Sequence, residues 1–306
     1  MSKTKPANMA ASVRQKLLNL SLQRGELFEH VAVTYALERM LYRLSLLSCA
    51  DRFILKGAAL FRYWLPELHR PTLDIDLLGV GFHDVDELVK VFREAISVPV
   101  DDDGLVFVPE TLQGSLIREG NQYHGVRILL DARLTSARLP LQFDIGFGDI
   151  VSPNPITMDL KPLLPFPHVK IATYSRYTTV AEKFQALVIL GLRNSRMKDY
   201  FDIWTLSNHF SFDGDTLQKA LKATFSRRNT PVLAELPVGL TAEFSEAQDK
   251  QAQWKGFLRR IGAKEEKHFP EIVKDISAFL SPVVNSIVTA KPFYFHWNPK
   301  GPWRKV

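Results

Sequence analysis

The run LDIDLLG predicts a β-strand that carries two aspartates on one face. Because side chains alternate along a strand, Asp74 and Asp76 point to one side, while the apolar residues around them point to the other side, toward a core. Two carboxylates at this spacing repel one another unless a cation neutralises them. The run therefore predicts either an edge strand with an acidic solvent face or part of a cation-binding site, in a fold that contains a β-sheet.

The composition is that of a folded globular protein. Of the 306 residues, 46% are hydrophobic and 24% are charged, which excludes disordered and collagen-like chains. No apolar run resembles a signal peptide or approaches the roughly 20 residues that a membrane span needs. We therefore expect a cytoplasmic protein with no membrane partner. The single cysteine, Cys49, excludes an internal disulfide framework and suits a reducing compartment.

The charge balance favours a polyanionic partner. Lysine and arginine together number 39 against 33 acidic residues, which gives a formal net charge of +6. Such an excess attracts nucleic acid electrostatically. The eight histidines show none of the spacings that are typical of a zinc site.

The first half of the chain mixes helix and strand patterns. Apolar residues recur at helical spacing over residues 10–23 and 26–49, and Asp84 begins a capping box for a further helix. The runs GLVFVPE, YHGVRILLDARL and LPLQFDIGFG alternate in polarity and predict three more strands. The acidic triplet at 101–103 predicts a solvated turn before the first of them. We therefore expect an α+β domain over residues 1–150.

The second half begins with a change of composition. Five prolines in VSPNPITMDLKPLLPFPH predict an extended linker rather than regular structure over residues 151–175. Residues 176–290 show helical patterns and no convincing strand, which predicts a helical domain. The tail, residues 291–306, interleaves aromatic and basic residues; it either stacks on single-stranded nucleic acid or packs on the protein's own helices. The predicted helices cover residues 179–193, 196–209, 213–225, 243–262 and 269–289.

A turn at Lys56-Gly57 links a strand pattern to a short helix pattern, and the aspartate strand follows it. Backbone N–H groups at such a turn can hold a phosphate, and two carboxylates opposite can hold Mg²⁺ ions that bridge it. A third carboxylate, Asp144 in LQFDIGFGD, would complete a two-metal site from a later strand. The sequence therefore predicts a metal site formed by Asp74, Asp76 and Asp144.

This order of motifs resembles the nucleotidyltransferase fold of the DNA polymerase β superfamily. A narrower resemblance, to the AbiEii/AbiGii family of nucleotidyltransferase toxins from type IV toxin–antitoxin and phage-defence systems, covers residues 50–210. It is carried, in this order, by LKGAALF, RPTLDIDLLG, YHGVRILLDARL, LQFDIGFGD and AEKFQALVILGLRNSRMKDYFDIW. The resemblance implies the fold class, α+β: a mixed-sheet, polymerase β-like nucleotidyltransferase domain followed by a helical domain.

The resemblance also implies roles for residues around the aspartate strand. Asp74 and Asp76 would bind the metal, Mg²⁺ or Mn²⁺, and the triphosphate. Arg70 fills the family's usual arginine, and Thr72 stands at a hydroxyl position that the family usually fills with serine. Both residues are therefore expected to contact the nucleotide.

The turn Lys56-Gly57-Ala58 is expected to bind the nucleotide through its phosphates. The family's turn is commonly Gly-Gly or Gly-Ser, so Ala58 is a departure from the pattern. Ala58 keeps a backbone N–H but lacks the conformational freedom of glycine. The alanine is therefore expected to alter how the turn binds the phosphates.

In the second domain, Lys183 matches the family's Glu-Lys pair, which implies contact with the nucleotide phosphates; the alternative is a solvated surface lysine. Glu182 has capping-box spacing in TVAE and is interpreted as a helix cap. Asp199 and Asp202, at i and i+3, share a helix face. Asp202 matches the last aspartate of the family's Lys-Asp-x-x-Asp element, which implies a catalytic role. Asp199 either binds the nucleotide or stabilises the first turn through the helix dipole.

These motifs and the resemblance imply a Mg²⁺-dependent enzyme that transfers a nucleotide from an NTP to an acceptor and releases pyrophosphate. Asp144 would activate the attacking hydroxyl. The resemblance further implies a tRNA acceptor, growth inhibition and a cognate antitoxin. Two alternatives stay open: the same fold with a small-molecule or protein acceptor, and a non-catalytic binding module. The presence of all three strand carboxylates speaks against the binding module.

Overall fold

The computed structural model describes residues 8–66, 72–82, 84–119, 122–263 and 267–306. Arg70, a predicted nucleotide ligand, lies outside the described residues. The chain divides into two compact units. Unit 1 comprises Met1–Gly148 and Ile156–Thr173, and unit 2 comprises Asp149–Pro155 and Tyr174–Val306.

Unit 1 is built on a mixed sheet, to which the described residues contribute seven strands. The strands are β1 Phe53–Lys56, β2 Asp74–Gly79, β3 Leu105–Glu119, β4 Gln122–Leu134, β5 Ala137–Phe147, β6 Ile156–Leu160 and β7 Val169–Thr173. Their order across the sheet is β3-β4-β5-β2-β1-β7-β6. The central strand β2 pairs in parallel with β5 and antiparallel with β1. This mixed sheet confirms the predicted α+β fold class.

Four α-helices accompany the sheet in the described part of unit 1. They are α1 Met9–Arg24, α2 Phe28–Ser45, α3 Ala59–Trp64 and α4 Val85–Ser97. Helix α2 packs on β5 and β7, and α4 packs on β3. The cap predicted for α4 is confirmed, because the side chain of Asp84 accepts a hydrogen bond of 2.7 Å from the backbone N–H of Glu87.

The segment predicted as a linker, residues 151–175, is not an extended linker throughout. It contains β6 and β7, which pair antiparallel at one edge of the sheet, and β7 also pairs in parallel with β1. The prediction was wrong because the five prolines lie outside both strands, where they cannot remove a ladder hydrogen bond. The prolines are Pro153, Pro155, Pro162, Pro165 and Pro167.

Helix α2 buries charged as well as apolar side chains. Arg43 donates a hydrogen bond of 2.7 Å to Asp103, so the last residue of the acidic triplet is buried and paired, whereas the sequence predicted a solvated turn. Glu38 accepts a hydrogen bond of 2.9 Å from Arg62. Burial raises the pKa of Glu38, although the charge of Arg62 opposes this shift.

Unit 2 is mainly helical, as predicted, with a small sheet that the sequence did not predict. The predicted helix over 243–262 is interrupted at Ala247. The helices are α5 Arg176–Leu190, α6 Met197–His209, α7 Gly214–Arg227, α8 Ala242–Glu246, α9 Gln248–Ile261 and α10 Phe269–Val288. The strands β8 Phe212–Asp213, β9 Phe295–Trp297 and β10 Trp303–Lys305 form the sheet, in the order β10-β9-β8.

The basic and aromatic tail, residues 291–306, is part of unit 2 and packs on its helices. The Trp303 ring stacks on Phe279 at 5.7 Å between centroids, and the indole N–H of Trp297 donates a hydrogen bond of 2.7 Å to the carbonyl oxygen of Ser207. Of the two roles considered for the tail, the structure therefore supports packing on the protein's own helices. Within the described parts of the chain, no helix is both long and apolar enough to cross a membrane.

Candidate active site

A row of four charged residues crosses the middle of the unit 1 sheet. Lys56 on β1 is the register partner of Asp76 on β2, which is the partner of Asp144 on β5, which is in turn the partner of Arg127 on β4. Register partners present their side chains on the same face of a sheet. In this row two adjacent carboxylates are therefore flanked by a cation on each side.

Asp74 lies on the same face of β2 as Asp76, as the period of two predicts. Its carboxylate accepts a hydrogen bond from the hydroxyl of Thr72, which fixes the orientation of one carboxylate of the pair. The residues between and after the aspartates, Ile75 and Leu77, are buried on the other face. Leu73 precedes the strand and is exposed, so only part of the apolar run reaches the core.

The glycine turn lies directly beside Asp76. Gly57 has φ +74°, and a Cβ at this position would lie 2.0 Å from Oδ2 of Asp76. Both the backbone conformation and the lack of space therefore require glycine. Ala58 has φ −67° and ψ −27°, which any L-residue adopts readily. The alanine that departs from the family pattern thus fits the backbone without strain.

Asp144 is held by Arg127. The guanidinium donates two hydrogen bonds of 2.8 Å, from Nε to Oδ1 and from Nη2 to Oδ2, and the amide of Gln142 donates one of 3.1 Å to Oδ2. The hydrogen bonds to Asp144 raise the pKa of Arg127. The charges of Asp144, Asp74 and Asp76 raise it further, while partial burial lowers it. Arg127 therefore lies in the field of all three carboxylates.

The carboxylates of Asp74, Asp76 and Asp144 share a face of the sheet but do not form a complete set of metal ligands. Among the described residues, no three histidine, cysteine, aspartate or glutamate side chains converge closely enough to hold a metal ion. Mg²⁺ is commonly bound by one or two carboxylates together with water and substrate phosphates. Asp74 and Asp76 fit that mode, because both offer oxygen ligands on one face of β2. Asp144 is engaged by Arg127 instead.

In unit 2, Lys183 joins two buried aspartates of α6. Its Nζ lies 2.7 Å from Oδ1 of Asp199 and 2.8 Å from Oδ2 of Asp202. Both aspartates are 0% exposed, and Lys183 is 12% exposed. Arg196 adds a second cation, with its Nε 2.7 Å from Oδ2 of Asp199. Lys183 is therefore not a freely solvated lysine, and the two aspartates orient it.

Glu182 is not a helix cap. Helix α5 begins at Arg176, and Ser175 is its cap, with a side-chain oxygen that accepts a hydrogen bond from the N–H of Thr178. Glu182 lies farther along the helix and accepts a hydrogen bond of 2.9 Å from the hydroxyl of Tyr174. Arg228 lies 3.4 Å from the same carboxylate. Capping-box spacing alone misplaced the start of the helix.

Arg127 and Gln142 were not identified as site residues from the sequence. Arg127 occurs in the quoted run YHGVRILLDARL, but its pairing with Asp144 depends on the register between β4 and β5. The available signal was the alternation of both runs, which places Arg127 and Asp144 on polar faces. Alternation gives the face of a residue, whereas only the register gives its partner.

The carboxylate row and the aspartate pair give unit 1 the means to hold a polyanion through a divalent cation. Asp74 and Asp76 supply the negative charge for a cation, and the Gly57 turn lies directly against Asp76. Asp144 offers a carboxylate for proton transfer on the same face. These features suit the binding and transfer of a phosphate-containing group.

Comparison with known proteins adds three findings. The family model described as "Nucleotidyl transferase AbiEii toxin, Type IV TA system" matches residues 39–280, which extends beyond the five quoted segments. No curated protein matches. Two solved structures from Helicobacter pylori are similar at 12% identity: a candidate nucleotidyltransferase, with a TM-score of 0.47 over 86% of this chain and 96% of that one, and JHP933, with a TM-score of 0.48 over 94% and 96%.

Proposed function

Because the chain belongs to the AbiEii nucleotidyltransferase toxin family of type IV toxin–antitoxin systems, we propose that it transfers a nucleotide from an NTP to tRNA and thereby inhibits growth. The supporting observation is the aspartate pair on β2, of which Asp76 lies directly beside the Gly57 turn, inside the family-matched region. The proposal includes dependence on Mg²⁺ or Mn²⁺, action in the cytoplasm and control by a cognate antitoxin.

Asp74 and Asp76 would hold the metal in this proposal. When bound, a divalent cation neutralises the charge of the triphosphate and of the departing pyrophosphate. Thr72 keeps the Asp74 carboxylate oriented through its hydroxyl. The turn Lys56-Gly57-Ala58 contributes backbone N–H groups to the phosphates, and the absence of a side chain at Gly57 lets the chain approach Asp76.

Asp144 accepts the proton of the attacking acceptor hydroxyl in the proposed reaction. The oxygen of that hydroxyl then bonds to the α-phosphorus as the bond to pyrophosphate breaks, and the leaving group carries away the electron pair. Lys183 contacts the nucleotide phosphates in this proposal. Arg70, which lies outside the described residues, has the same proposed role. Asp199 and Asp202 act on the nucleotide through Lys183, because both carboxylates lie against its ammonium group.

The formal net charge of +6 supports an RNA acceptor. To test this, purified protein is incubated with each labelled NTP and with separate pools of tRNA, protein and small metabolites. Label is expected in tRNA and to depend on added Mg²⁺ or Mn²⁺. Label in proteins or metabolites instead would replace tRNA with another acceptor and leave the transferase activity intact.

The aspartate pair is tested by Asp76→Asn, which is expected to reduce transfer by at least about a hundredfold, since it removes a charged ligand and leaves the shape of the site unchanged. The matched control is Asp159→Asn on β6, where an exposed aspartate pairs with His168. Asp159→Asn is expected to retain full activity. Full activity in Asp76→Asn would remove this residue from the reaction.

A further inference from the structure

We infer that Arg127 is an internal counter-ion that competes with a divalent cation for Asp144. In the metal-free protein, Arg127 neutralises this carboxylate and keeps it out of the metal site. A divalent cation recruits Asp144 only by displacing the guanidinium. The inference rests on the proposed function, because it takes Asp74 and Asp76 as the first ligands of the metal.

The geometry of the pair supports competition. Arg127 occupies both carboxylate oxygens of Asp144, each at 2.8 Å. A two-point guanidinium–carboxylate pair of this kind is among the stronger charge-assisted hydrogen bonds. The guanidinium takes one lone pair of each oxygen and the Gln142 amide takes the second one of Oδ2, so only one of the roughly four lone-pair sites of this carboxylate is left for a metal. Asp144 is accordingly not part of a three-carboxylate cluster among the residues described.

The position of Arg127 makes displacement feasible. Its side chain is 40% exposed, so the guanidinium can turn into solvent, and a cation beside Asp144, which is 19% exposed, would then neutralise that carboxylate. The register partner of Asp144 on its other side is Asp76. Asp76 and Arg127 thus stand on opposite sides of Asp144, and a cation held by Asp76 would repel the guanidinium.

A second arginine–aspartate pair on the same two strands provides a comparison. Arg138 on β5 donates a hydrogen bond of 2.7 Å to Asp131 on β4. Asp131 pairs in register with Pro140, so no second carboxylate stands beside it as Asp76 stands beside Asp144. Removing either arginine removes one positive charge from this part of the sheet. Only the removal of Arg127 releases a carboxylate next to the aspartate pair.

The test measures Mn²⁺ binding to the full-length, nucleotide-free protein by electron paramagnetic resonance. Arg127→Met is expected to bind Mn²⁺ at least about tenfold more tightly than the wild type, since a neighbouring opposite charge changes the cation affinity of a carboxylate by about tenfold or more. Arg127→Lys keeps the charge and is expected to bind Mn²⁺ with nearly wild-type affinity. Thermal unfolding of each variant verifies the fold, and Arg127→Gln serves as a second neutral variant.

The gain must depend on Asp144 and on the location of the arginine. It is expected to vanish in Arg127→Met/Asp144→Asn relative to Asp144→Asn, and to be absent in Arg138→Met. Unchanged or weaker Mn²⁺ binding in both neutral variants overturns the inference, as does an equal gain in Arg138→Met or a gain that survives Asp144→Asn. Failure of the proposed metal site has a different signature, because Mn²⁺ binding by the wild type would then be unaffected by Asp76→Asn.

Discussion

Substitution of Lys183 by methionine is expected to destabilise unit 2 strongly. The change keeps an unbranched side chain, one atom shorter, but removes the ammonium group shared by Asp199 and Asp202, both of which are fully buried. Removing one partner of a buried ion pair costs about 3–5 kcal/mol, because it leaves an uncompensated charge. Arg196 still neutralises part of the charge of Asp199, which places the expected loss toward the lower end of this range.

Thermal and urea unfolding of the purified protein measure this effect. A loss of about 3 kcal/mol corresponds to a fall in Tm of roughly 6 °C or more for a domain of this size. The triple variant Lys183→Met/Asp199→Asn/Asp202→Asn is expected to recover at least half of the loss, because neutral amides replace the two buried carboxylates. The matched control is Lys219→Met, where an exposed lysine pairs with Asp215 one helical turn away. This control is expected to leave the Tm unchanged.

A wild-type Tm for Lys183→Met would refute the reasoning, since the two carboxylates would then need no cation. The experiment also determines how loss of activity in Lys183 variants is interpreted. Lys183→Arg keeps the charge and is expected to be folded. If Lys183→Arg is stable but transfers poorly, the lysine acts on the nucleotide as well as on the aspartates.

Three further outcomes are expected. Gly57→Ala should abolish transfer, because its Cβ would lie 2.0 Å from Oδ2 of Asp76; activity with each NTP measures this, and normal turnover would contradict the tight fit. Trimming the chain after Ala290 should lower the Tm of unit 2, because Trp297 and Trp303 then no longer pack on it; an unchanged Tm would show that the tail is dispensable for stability. Affinity for tRNA should fall by at least about tenfold between about 50 and 200 mM salt, and a flat salt dependence in a filter-binding assay would argue for an uncharged acceptor.

The sequence predicted those parts of the structure that follow from local periodicity. Asp74 and Asp76 lie on one face because side chains alternate on a strand, and Asp84 caps α4 because its side chain needs only the N–H of Glu87. Neither result depends on distant parts of the chain. The glycine at position 57 was likewise identified from its turn, although its close approach to Asp76 required the pairing of β1 with β2.

The features that were missed depend on long-range pairing. Asp103 is buried because Arg43, 60 residues earlier in the sequence, pairs with it, and nothing in the triplet itself indicates such a partner. The strands β6 and β7 have few residues and lie between prolines, so the high proline content of the segment predicted a linker instead of strands. Arg127 meets Asp144 through the register of the hairpin formed by β4 and β5. Hydrophobic alternation predicts which face of the sheet a residue lies on, but not which residue it pairs with.

The path of the chain between the two units affects whether recombination can exchange one unit without the other. The chain leaves unit 1 after Gly148, returns at Ile156 and leaves again after Thr173. A single recombination breakpoint anywhere in this stretch would separate β6 and β7 from the sheet, or residues 149–155 from the helical unit. Loss of β7 would leave β1, which carries Lys56 of the charged row, without its parallel neighbour. The two units are therefore expected to pass between genomes together rather than as exchangeable modules.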